Sequence, residues 1–332
     1  MELAGKRVLV TGADGFIGSH LVEHLVAIGC DVRAFVWYTA TGSWGWLEAT
    51  PPAVRERIEV FTGDVRDASA VRAAVAGRDV VFHLAALIGI PYSYEAPDAY
   101  VATNVVGTFN VIDVCRATSV ARVIITSTSE VYGTAQSIPM TEDHPRVPQS
   151  PYAATKVAAD ALAQSYHRAF GLPVVIARPF NTYGPRQSSR AVIPTICTQL
   201  LAGQRVIRLG SLTPTRDLLF VEDTCRALAA LATCDAAIGE DVHFGTGVEV
   251  SIGDLAALCM ELTGVRAEII TERMRIRPQE SEVEQLLCDA TRMHSLTGWT
   301  PRVSLRDGVA RAIEWLREPA HLARYRPTVY AR

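Results

Sequence analysis

The sequence lacks long apolar runs, a surplus of one charge and a leader-like start. No apolar run approaches the roughly 20 residues needed to cross a bilayer. The 32 Lys and Arg residues face 35 Asp and Glu residues, a net charge of 32 − 35 = −3. This balance argues against nucleic acid or an anionic membrane as a partner. The N-terminal segment also lacks the basic-then-apolar layout of a signal peptide, so we expect a cytoplasmic protein.

Cysteine is sparse, and its spacing carries no disulfide or metal pattern. The chain has seven cysteines, an odd number, and no two of them form a CxxC pair. Reduced, buried thiols fit this spacing better than disulfides or a zinc site, so no metal is expected. Repeats and low-complexity segments are also missing. The 49% content of hydrophobic residues excludes a disordered chain.

The first half contains short apolar runs that alternate with longer helical patterns. This order is typical of βαβ units on a parallel sheet covered by helices on both faces. It predicts an α/β fold with a doubly wound parallel sheet of the Rossmann type and a smaller mixed C-terminal region. The predicted strands are Arg7–Thr11, Asp31–Trp37, Ile58–Thr62, Val80–Ala85, Val123–Ser127 and Val174–Arg178. The main predicted helices are Gly18–Ile28, Ala99–Thr118 and Tyr152–Phe170.

The sequence pattern changes after the sixth strand, which suggests a division into residues 1–178 and 179–332. Frequent prolines in the second part predict loops that cover a site rather than regular structure. These prolines are Pro179, Pro185, Pro194 and Pro214. One further strand, near 241–246, is predicted to return to the sheet of the first part. A loop at 42–52 contains Trp44 and Trp46, which we expect to cover an edge of the core.

A glycine-rich turn follows the first predicted strand and leads into the first helix. It reads Thr-Gly-Ala-Asp-Gly-Phe-Ile-Gly over Thr11–Gly18. Gly12 and Gly15 let backbone N–H groups approach a pyrophosphate, and Gly18 lets the helix pack on the strand. The strand–turn–helix context is the condition that makes such a motif specific for a dinucleotide.

The residues that would contact the adenosine part are less well defined. The second strand ends at Val36 and Trp37, which supply neither a carboxylate for a ribose 2′-hydroxyl nor an arginine for a 2′-phosphate. The residues therefore leave both NAD and NADP open. Asp64 and Val65, just beyond the third strand, are placed to meet the adenine, and Asp64 is equally suited to be a helix N-cap.

Candidate catalytic groups follow the central strands, at the edge where open α/β sheets bind ligands. Tyr152 and Lys156 are four residues apart and therefore lie on one helix face. Beside a nicotinamide, Lys156 would lower the pKa of Tyr152, so that the phenolate can take a hydroxyl proton. Glu130 follows the fifth strand, and its carboxylate is a candidate base or a cap of the next turn.

Candidates for binding a diphosphate follow the sixth strand. Asn181 is suited to hydrogen-bonding phosphate oxygens at the end of that strand. Arg216 and Arg277 are candidate phosphate clamps, because a guanidinium group matches two phosphate oxygens at once. Either arginine taken alone is equally consistent with a surface ion pair.

Four motifs together resemble the extended short-chain dehydrogenase/reductases that modify nucleotide sugars, the NAD-dependent epimerase/dehydratase family. They are the glycine turn, the Tyr152/Lys156 pair, Arg178–Asn181 and Arg216–Asp217, and the resemblance covers nearly the whole chain. The run 127–133 is similar to the 4,6-dehydratases and the UDP-glucuronate decarboxylases. The stretches most similar to bacterial UDP-N-acetylglucosamine 4,6-dehydratases of legionaminic acid pathways are 43–47, 85–94, 178–194 and 212–217.

The resemblance implies a role for each matching residue. It implies that 1–178 bind NAD(P), that 179–332 mainly bind a nucleotide-diphosphate sugar, and that two copies pair through the long helices. The implied cofactor contacts are Gly12, Gly15, Phe16, Ile17, Gly18, Asp64, Val65, Ala85, Ala86, Tyr152 and Lys156. The implied catalytic residues are Thr128, Glu130, Tyr152 and Lys156. The implied substrate contacts are Asn181, Arg216 and Arg277.

The implied reaction is a 4,6-dehydration of UDP-N-acetylglucosamine or a related NDP-hexose. Tyr152 would deprotonate the sugar 4-hydroxyl while hydride leaves C4, and Glu130 would then remove the C5 proton. Water leaves from C6, and the hydride returns there. The dTDP-glucose enzymes carry an aspartate before the glutamate to protonate the leaving hydroxyl, whereas this chain has Ser129. We therefore expect Glu130 to serve both steps.

Three alternatives stay open. A UDP-glucuronate decarboxylase uses the same oxidation at C4, but its substrate carboxylate needs a cation near C6. The segment 79–115 contains no Lys or Arg, although Arg186 could reach in from elsewhere. A 4-epimerase has no need of Glu130. A redox-sensing regulator that binds a dinucleotide without catalysis typically loses the tyrosine or the lysine, and this chain keeps both.

Overall fold

A computed structural model describes residues 1–327 of the chain. Strands and helices alternate along most of this range. The strands are β1 (Arg7–Thr11), β2 (Asp31–Trp37), β3 (Ile58–Gly63), β4 (Val80–His83), β5 (Arg122–Thr126), β6 (Val174–Pro179), β7 (Asn181–Tyr183), β8 (Val206–Leu209), β9 (Thr215–Phe220), β10 (Asp241–Phe244), β11 (Glu249–Ser251), β12 (Glu268–Thr271) and β13 (Gln285–Leu286). The helices are α1 (Phe16–Ala27), α2 (Pro52–Arg55), α3 (Ala68–Val75), α4 (Ile90–Glu95), α5 (Pro97–Tyr100), α6 (Gly107–Ala117), α7 (Pro151–Phe170), α8 (Val192–Leu201), α9 (Val221–Thr233), α10 (Ile252–Thr263), α11 (Thr291–Thr297), α12 (Leu305–Arg317) and α13 (Pro319–Leu322). A π-helical segment, Val101–Val106, joins α5 to α6.

The main sheet has seven strands in the order β10-β6-β5-β4-β1-β2-β3. Every neighbouring pair in it is parallel. The chain winds outward from β1 to β3 in one direction and from β4 to β6 in the other, which is the doubly wound arrangement. The predicted Rossmann-type α/β fold is confirmed. Ligands in such sheets bind where the winding reverses, at the carboxyl ends of β1 and β4.

The central strands are almost wholly apolar because helices cover both faces of the sheet. Successive side chains of a strand point to opposite faces. In β1, Val8 and Val10 therefore join the core that contains α1 and α9, whereas Leu9 joins the core that contains α3 and α6. A slip of one residue would exchange the two faces, so this pattern fixes the register of the strands.

Residues 179–250 hold more regular structure than the prolines predict. They contain α8 and α9, and β9 pairs with β7, β11 and β13 in a second, smaller sheet. The prediction of loops is wrong here because Pro194 is the third residue of α8, in the first turn, where the missing N–H costs no helical hydrogen bond. β10 lies beside β6 at the edge of the main sheet. The functional division at residue 178 stays a prediction.

The chain leaves the main sheet earlier after β4 than the apolar run indicates. The run predicts a strand to Ala85, but the strand ends at His83. Leu84 N donates to Thr11 O at 3.2 Å, and Ala85 N donates to Thr11 Oγ1 at 3.2 Å. These bonds draw residues 84 and 85 over the end of β1, where they border the glycine turn.

The cysteines are free thiols, and all except Cys234 are buried, as the sequence predicts. Burial raises the pKa of the Cys115 and Cys225 thiols, which keeps them in the unreactive protonated form. No helix within residues 1–327 is long and apolar enough to cross a membrane. The same residues contain no group of three or more His, Cys, Asp or Glu side chains that could hold a metal ion.

Candidate active site

The turn between β1 and α1 has room for backbone atoms only. Gly12 has a φ of +68°, and a Cβ there would lie 2.8 Å from Ala85 N. A Cβ on Gly18 would lie 2.1 Å from Gly12 O. Helix α1 begins at Phe16, and the N-cap residue Gly15 supplies no side-chain cap, so the first N–H groups of the helix are free to donate to an anion. The turn therefore forms a cradle that fits a dinucleotide pyrophosphate.

A cavity of about 790 Å³ adjoins this turn and extends to the residues that follow β5 and β6. This volume lies in the range of sites that enclose a large organic ligand. All of the predicted site residues line it except Asp64 and Arg216. The lining residues among them are Gly12, Gly15, Phe16, Ile17, Gly18, Val65, Ala85, Ala86, Thr128, Glu130, Tyr152, Lys156, Asn181 and Arg277.

Tyr152 and Lys156 stand one turn apart in α7, and both side chains are buried. Lys156 Nζ donates to Thr126 O at 2.7 Å, and burial lowers the pKa of Lys156 to about 8. Burial raises the pKa of Tyr152, while a hydrogen bond with the Thr128 side chain acts in the opposite direction. The sequence predicts a lowered pKa for Tyr152 beside Lys156. That prediction concerns the site with a nicotinamide beside Lys156 and stays a prediction; in the protein alone, burial has the larger effect on the pKa of Tyr152.

Glu130 lies in a short turn that follows β5, and it is 8% exposed. Thr128 caps this turn, because its Oγ1 accepts from Glu130 N at 3.2 Å. The Glu130 carboxylate is not the cap, and it accepts no hydrogen bond from the part of the chain that the structure describes. Its charge contributes to the raised pKa of Tyr152 and favours the protonated form of Arg216. A carboxylate placed in this way is available as a proton acceptor.

A buried arginine fixes the segment that carries Thr128. Arg178 forms ion pairs with Asp160, at 3.0 Å, and with Asp241. Its Nη1 also donates to Ser127 Oγ at 2.7 Å and to Thr128 O at 3.0 Å. A guanidinium group held by two carboxylates is rigid, so it sets the direction in which the chain leaves β5. The sequence places Arg178 at the end of β6 but assigns it no role.

The candidate diphosphate residues lie around one carboxylate. Glu282 Oε1 is 3.5 Å from both Arg216 Nη2 and Arg277 Nη1. Arg277 lines the cavity, whereas Arg216 is buried beside it. The charges of Glu130, Glu282 and Glu284 all favour the protonated form of Arg216, whereas Arg277 opposes it. Asn181 lines the cavity, and its Oδ1 is buried with no hydrogen-bond partner among residues 1–327.

Asp64 is engaged outside the cavity. Its carboxylate accepts from Arg66 N at 2.8 Å and from the Arg66 guanidinium at 2.7 Å. The N-cap alternative for Asp64 is wrong, because α3 is capped by Asp67, which accepts from Ser69 N at 2.8 Å. Val65 and Arg66 are the residues of this segment that line the cavity.

Asp14 and Arg190 are two charged residues among those that line the cavity without a role in the sequence prediction. Asp14, inside the glycine turn, accepts a hydrogen bond from Trp37 N at 3.3 Å through Oδ2. Arg190 lies against the loop before α4, since a Cβ on Gly89 would be 3.1 Å from its Nη1. Arg186 does not line the cavity and pairs with Glu23 at 2.6 Å. Asp14 could have been singled out from the sequence, because it is an acidic residue within a phosphate-binding turn.

Comparison with known proteins relates the chain to sugar-nucleotide enzymes. A family model described as GDP-mannose 4,6 dehydratase matches residues 9–312. A dTDP-glucose 4,6-dehydratase of Streptomyces griseus is 35% identical over 331 residues, which is 98% of this chain and 97% of that protein. The structure of DesIV, a dTDP-glucose 4,6-dehydratase from Streptomyces venezuelae with NAD bound, has a TM-score of 0.84 and 32% identity, and the match covers 94% and 97% of the two chains. UDP-glucuronic acid 4-epimerase from Bacillus cereus, in complex with UDP-glucuronic acid and NAD, has a TM-score of 0.84 and 29% identity, and the match covers 94% and 99% of the two chains.

Proposed function

The chain belongs to the GDP-mannose 4,6-dehydratase family, and from this membership we propose that it is an NAD-dependent nucleotide-sugar 4,6-dehydratase. The main observation that supports the proposal is the position of the Glu130 carboxylate. Its carboxylate lies in the same cavity as Tyr152, is nearly buried and is free of hydrogen bonds from the described residues. A 4-epimerase needs no carboxylate at this place, whereas a dehydratase must remove the proton from C5.

The residues of the cavity fit NAD as the cofactor. The glycine turn forms a cradle for the pyrophosphate, and its close packing depends on Gly12 and Gly18, where a Cβ would collide with the backbone of Ala85 and of Gly12. Val65, Ala85 and Ala86 border the space beside it. When bound, NAD supplies an acceptor for the hydride from C4 and gives that hydride back at C6. Relatives with NAD bound support this assignment.

The side chains at the other end of the cavity divide the proton transfers between them. We assign Tyr152 to the sugar 4-hydroxyl, with Thr128 as its hydrogen-bond partner and Lys156 behind it. Oxidation at C4 gives a ketone, which makes the C5 hydrogen acidic enough for a carboxylate base. Glu130 takes this proton and returns it to the C6 hydroxyl, which leaves as water. The balance is the loss of one water from the sugar: C5 receives a proton from solvent, and the proton that Tyr152 took from the 4-hydroxyl is released to solvent.

The substrate in this proposal is UDP-N-acetylglucosamine or a related NDP-hexose. Asn181 and Arg277 line the cavity where a diphosphate would lie, and Arg216 adds a second guanidinium behind them. Guanidinium groups bind phosphate oxygens through paired hydrogen bonds. The choice of UDP-N-acetylglucosamine depends on the sequence resemblance alone, and the relatives named above act on other sugars.

UDP-glucuronate decarboxylation or 4-epimerisation is the second candidate, and Arg190 favours it. This arginine lines the cavity beside Gly89, which belongs to the segment 79–115 that itself contains no Lys or Arg. A cation there is suited to the C6 carboxylate of a glucuronate. The relative from Bacillus cereus is named for a glucuronic acid substrate.

Mass spectrometry of the product, after chromatography that separates 4-epimers, distinguishes these reactions. The purified protein is incubated with NAD and, separately, with UDP-N-acetylglucosamine, UDP-glucuronate and GDP- and dTDP-hexoses. Loss of one water from a hexose is the expected result. Loss of CO₂ from UDP-glucuronate would establish the decarboxylase, and a 4-epimer of unchanged mass would establish the epimerase. Bound dinucleotide without turnover of any of these sugars would favour a sensor.

We also propose that the protein is a homodimer that pairs through α5, α6 and α7. Helices α6 and α7 and the π-helical segment between α5 and α6 expose large apolar side chains, which are Val101, Val106, Phe109 and Phe170. Exposed apolar side chains grouped on neighbouring helices are typical of a subunit interface. Sedimentation analysis should give the mass of two chains, and Phe109→Glu should shift the protein towards the mass of one chain.

A further inference from the structure

The end of β2 lacks the side chain that usually selects the dinucleotide. In most folds of this type, an acidic residue there hydrogen-bonds the adenosine ribose. Here Val36 is 1% exposed and belongs to the core. Trp37 follows it and lines the cavity. Neither residue can accept a hydrogen bond from a ribose hydroxyl through its side chain.

A carboxylate reaches this place from a different segment of the chain. Asp14 lies in the glycine turn after β1, which pairs with β2 in parallel. Its Oδ2 accepts from Trp37 N at 3.3 Å, and the residue lines the cavity. Asp14 forms no ion pair within the described residues. A carboxylate therefore stands at the end of β2, although the sequence of β2 contains none there.

The loop with two tryptophans holds Asp14 in position. Trp46 N donates to Asp14 O at 2.9 Å. Gly45 has a φ of +58°, and a Cβ there would lie 2.6 Å from Asp14 O and 3.0 Å from Asp14 Cβ. The Trp46 ring packs against Trp315 and Tyr325, with ring centroids 5.5 Å and 6.4 Å away. Contacts on both sides of the Asp14 backbone fix the direction of its side chain.

The cation that lies over the Trp37 ring is already paired with a carboxylate. Arg66 lies over the Trp37 ring, 5.1 Å from its centroid, and lines the same part of the cavity. Its guanidinium group is bound by Asp64 through bonds of 2.9 and 2.7 Å to Oδ2. A 2′-phosphate carries a charge near −2 at neutral pH. It would have to compete with Asp64 for Arg66 while it lies close to the Asp14 carboxylate.

We propose that Asp14 is the residue that selects NAD over NADP: its carboxylate accepts a hydrogen bond from the adenosine ribose and repels a 2′-phosphate. The proposal depends on the dinucleotide cofactor of the proposed function, and it deepens that function by naming a specificity residue in this chain. It also gives the loop at residues 43–47 a role beyond covering the core.

A competition for binding tests the proposal without any turnover. The purified protein is equilibrated with equal concentrations of NAD and NADP and separated from free dinucleotide, and the bound forms are then released and quantified by mass spectrometry. The wild type should hold almost only NAD. Asp14→Asn keeps the size of the side chain and an acceptor for Trp37 N. It should lower the NAD:NADP ratio by roughly tenfold to a hundredfold, the range for a hydrogen bond with a charged partner.

Glu314→Gln is the matched control, since Glu314 is exposed on α12 and does not line the cavity. It should keep the wild-type ratio. Equal binding of NAD and NADP by the wild type would overturn the proposal, as would a wild-type ratio in a folded Asp14→Asn protein. If Asp14→Asn does not fold, the NAD:NADP ratios bound by Asp14→Ser and by the wild type test the proposal instead. Binding of neither dinucleotide by the wild type would overturn the cofactor assignment, a result that differs from equal binding of both.

Discussion

The two ends of the cavity are bounded by different parts of the polypeptide. At the glycine turn the wall is backbone, and Gly12 and Gly18 leave no room for a Cβ. After β5 the wall consists of buried polar side chains, among them Glu130 and Lys156, with Arg178 behind them. A wall of backbone is sensitive to added volume, whereas a wall of buried charges is sensitive to a lost partner. The difference predicts which substitutions each end tolerates.

The backbone end should lose its function through a single methyl group. In Gly18→Ala the new Cβ would lie 2.1 Å from Gly12 O, so the turn must open and the N–H groups of α1 must move. We expect titration calorimetry with NAD to detect no binding by this variant, while circular dichroism still reports folded protein. Gly253→Ala is the control, because its Cβ would come no closer than 3.7 Å to Leu212 O. Wild-type affinity in Gly18→Ala would mean that the cradle is not a tight fit.

The charged end should respond to the loss of a partner rather than to volume. Arg178→Met leaves Asp160 and Asp241 buried without the cation that they share. We expect urea denaturation to show a free energy of unfolding that is lower by about 3–5 kcal/mol. Arg306→Met removes a pair of similar geometry, with Glu261 at 2.6 Å, but on the surface, and should change stability little. Equal losses in the two variants would remove the contrast between buried and exposed pairs.

A smaller effect of burial should appear as a pH dependence. Burial lowers the pKa of Lys156 from 10.5 to about 8, so the unfolded chain binds more protons than the folded chain between these values. The cost of the buried ammonium is complete below about pH 8 and fades as pH rises to 10.5. The free energy of unfolding of the wild type, minus that of Lys156→Met, should therefore rise across this window by at most about 3 kcal/mol. A difference that stays constant from pH 7 to pH 10.5 would contradict this account.

The sequence predicts the backbone end better than the charged end, because the backbone end is built from neighbours in the chain. The glycine turn is a local pattern, and β1 and α1 are found close to where the sequence predicts them. At the charged end, only the spacing of Tyr152 and Lys156 within α7 is local in this way. The contacts of Arg178 with Asp160 and Asp241 depend on strands and a helix that meet only in the folded chain. No periodicity in the sequence encodes them.

The same reason explains the residues that the sequence misses. Asp14 reaches Trp37 because β1 and β2 are paired in parallel, and Glu282 joins Arg216 to Arg277 only after the small sheet has formed. The sequence does not predict α8 because the segment contains Pro194, although the first turn of a helix tolerates a proline. Local motifs therefore predict the fold and the core of the site, whereas pairs of distant side chains determine the geometry at its borders.

The central claim is that Glu130 handles the proton at C5 while Tyr152 handles the proton of the 4-hydroxyl. The most direct measurement is the reaction of Glu130→Gln in D₂O with the hexose that the wild type dehydrates, read by mass spectrometry. We expect the wild type to lose water and take up one deuterium at C5. The variant should lose water at least about a hundredfold more slowly, its unconverted substrate should show no deuterium at C5, and it should still bind NAD. Dehydration with deuterium at C5 at the wild-type rate would contradict the account.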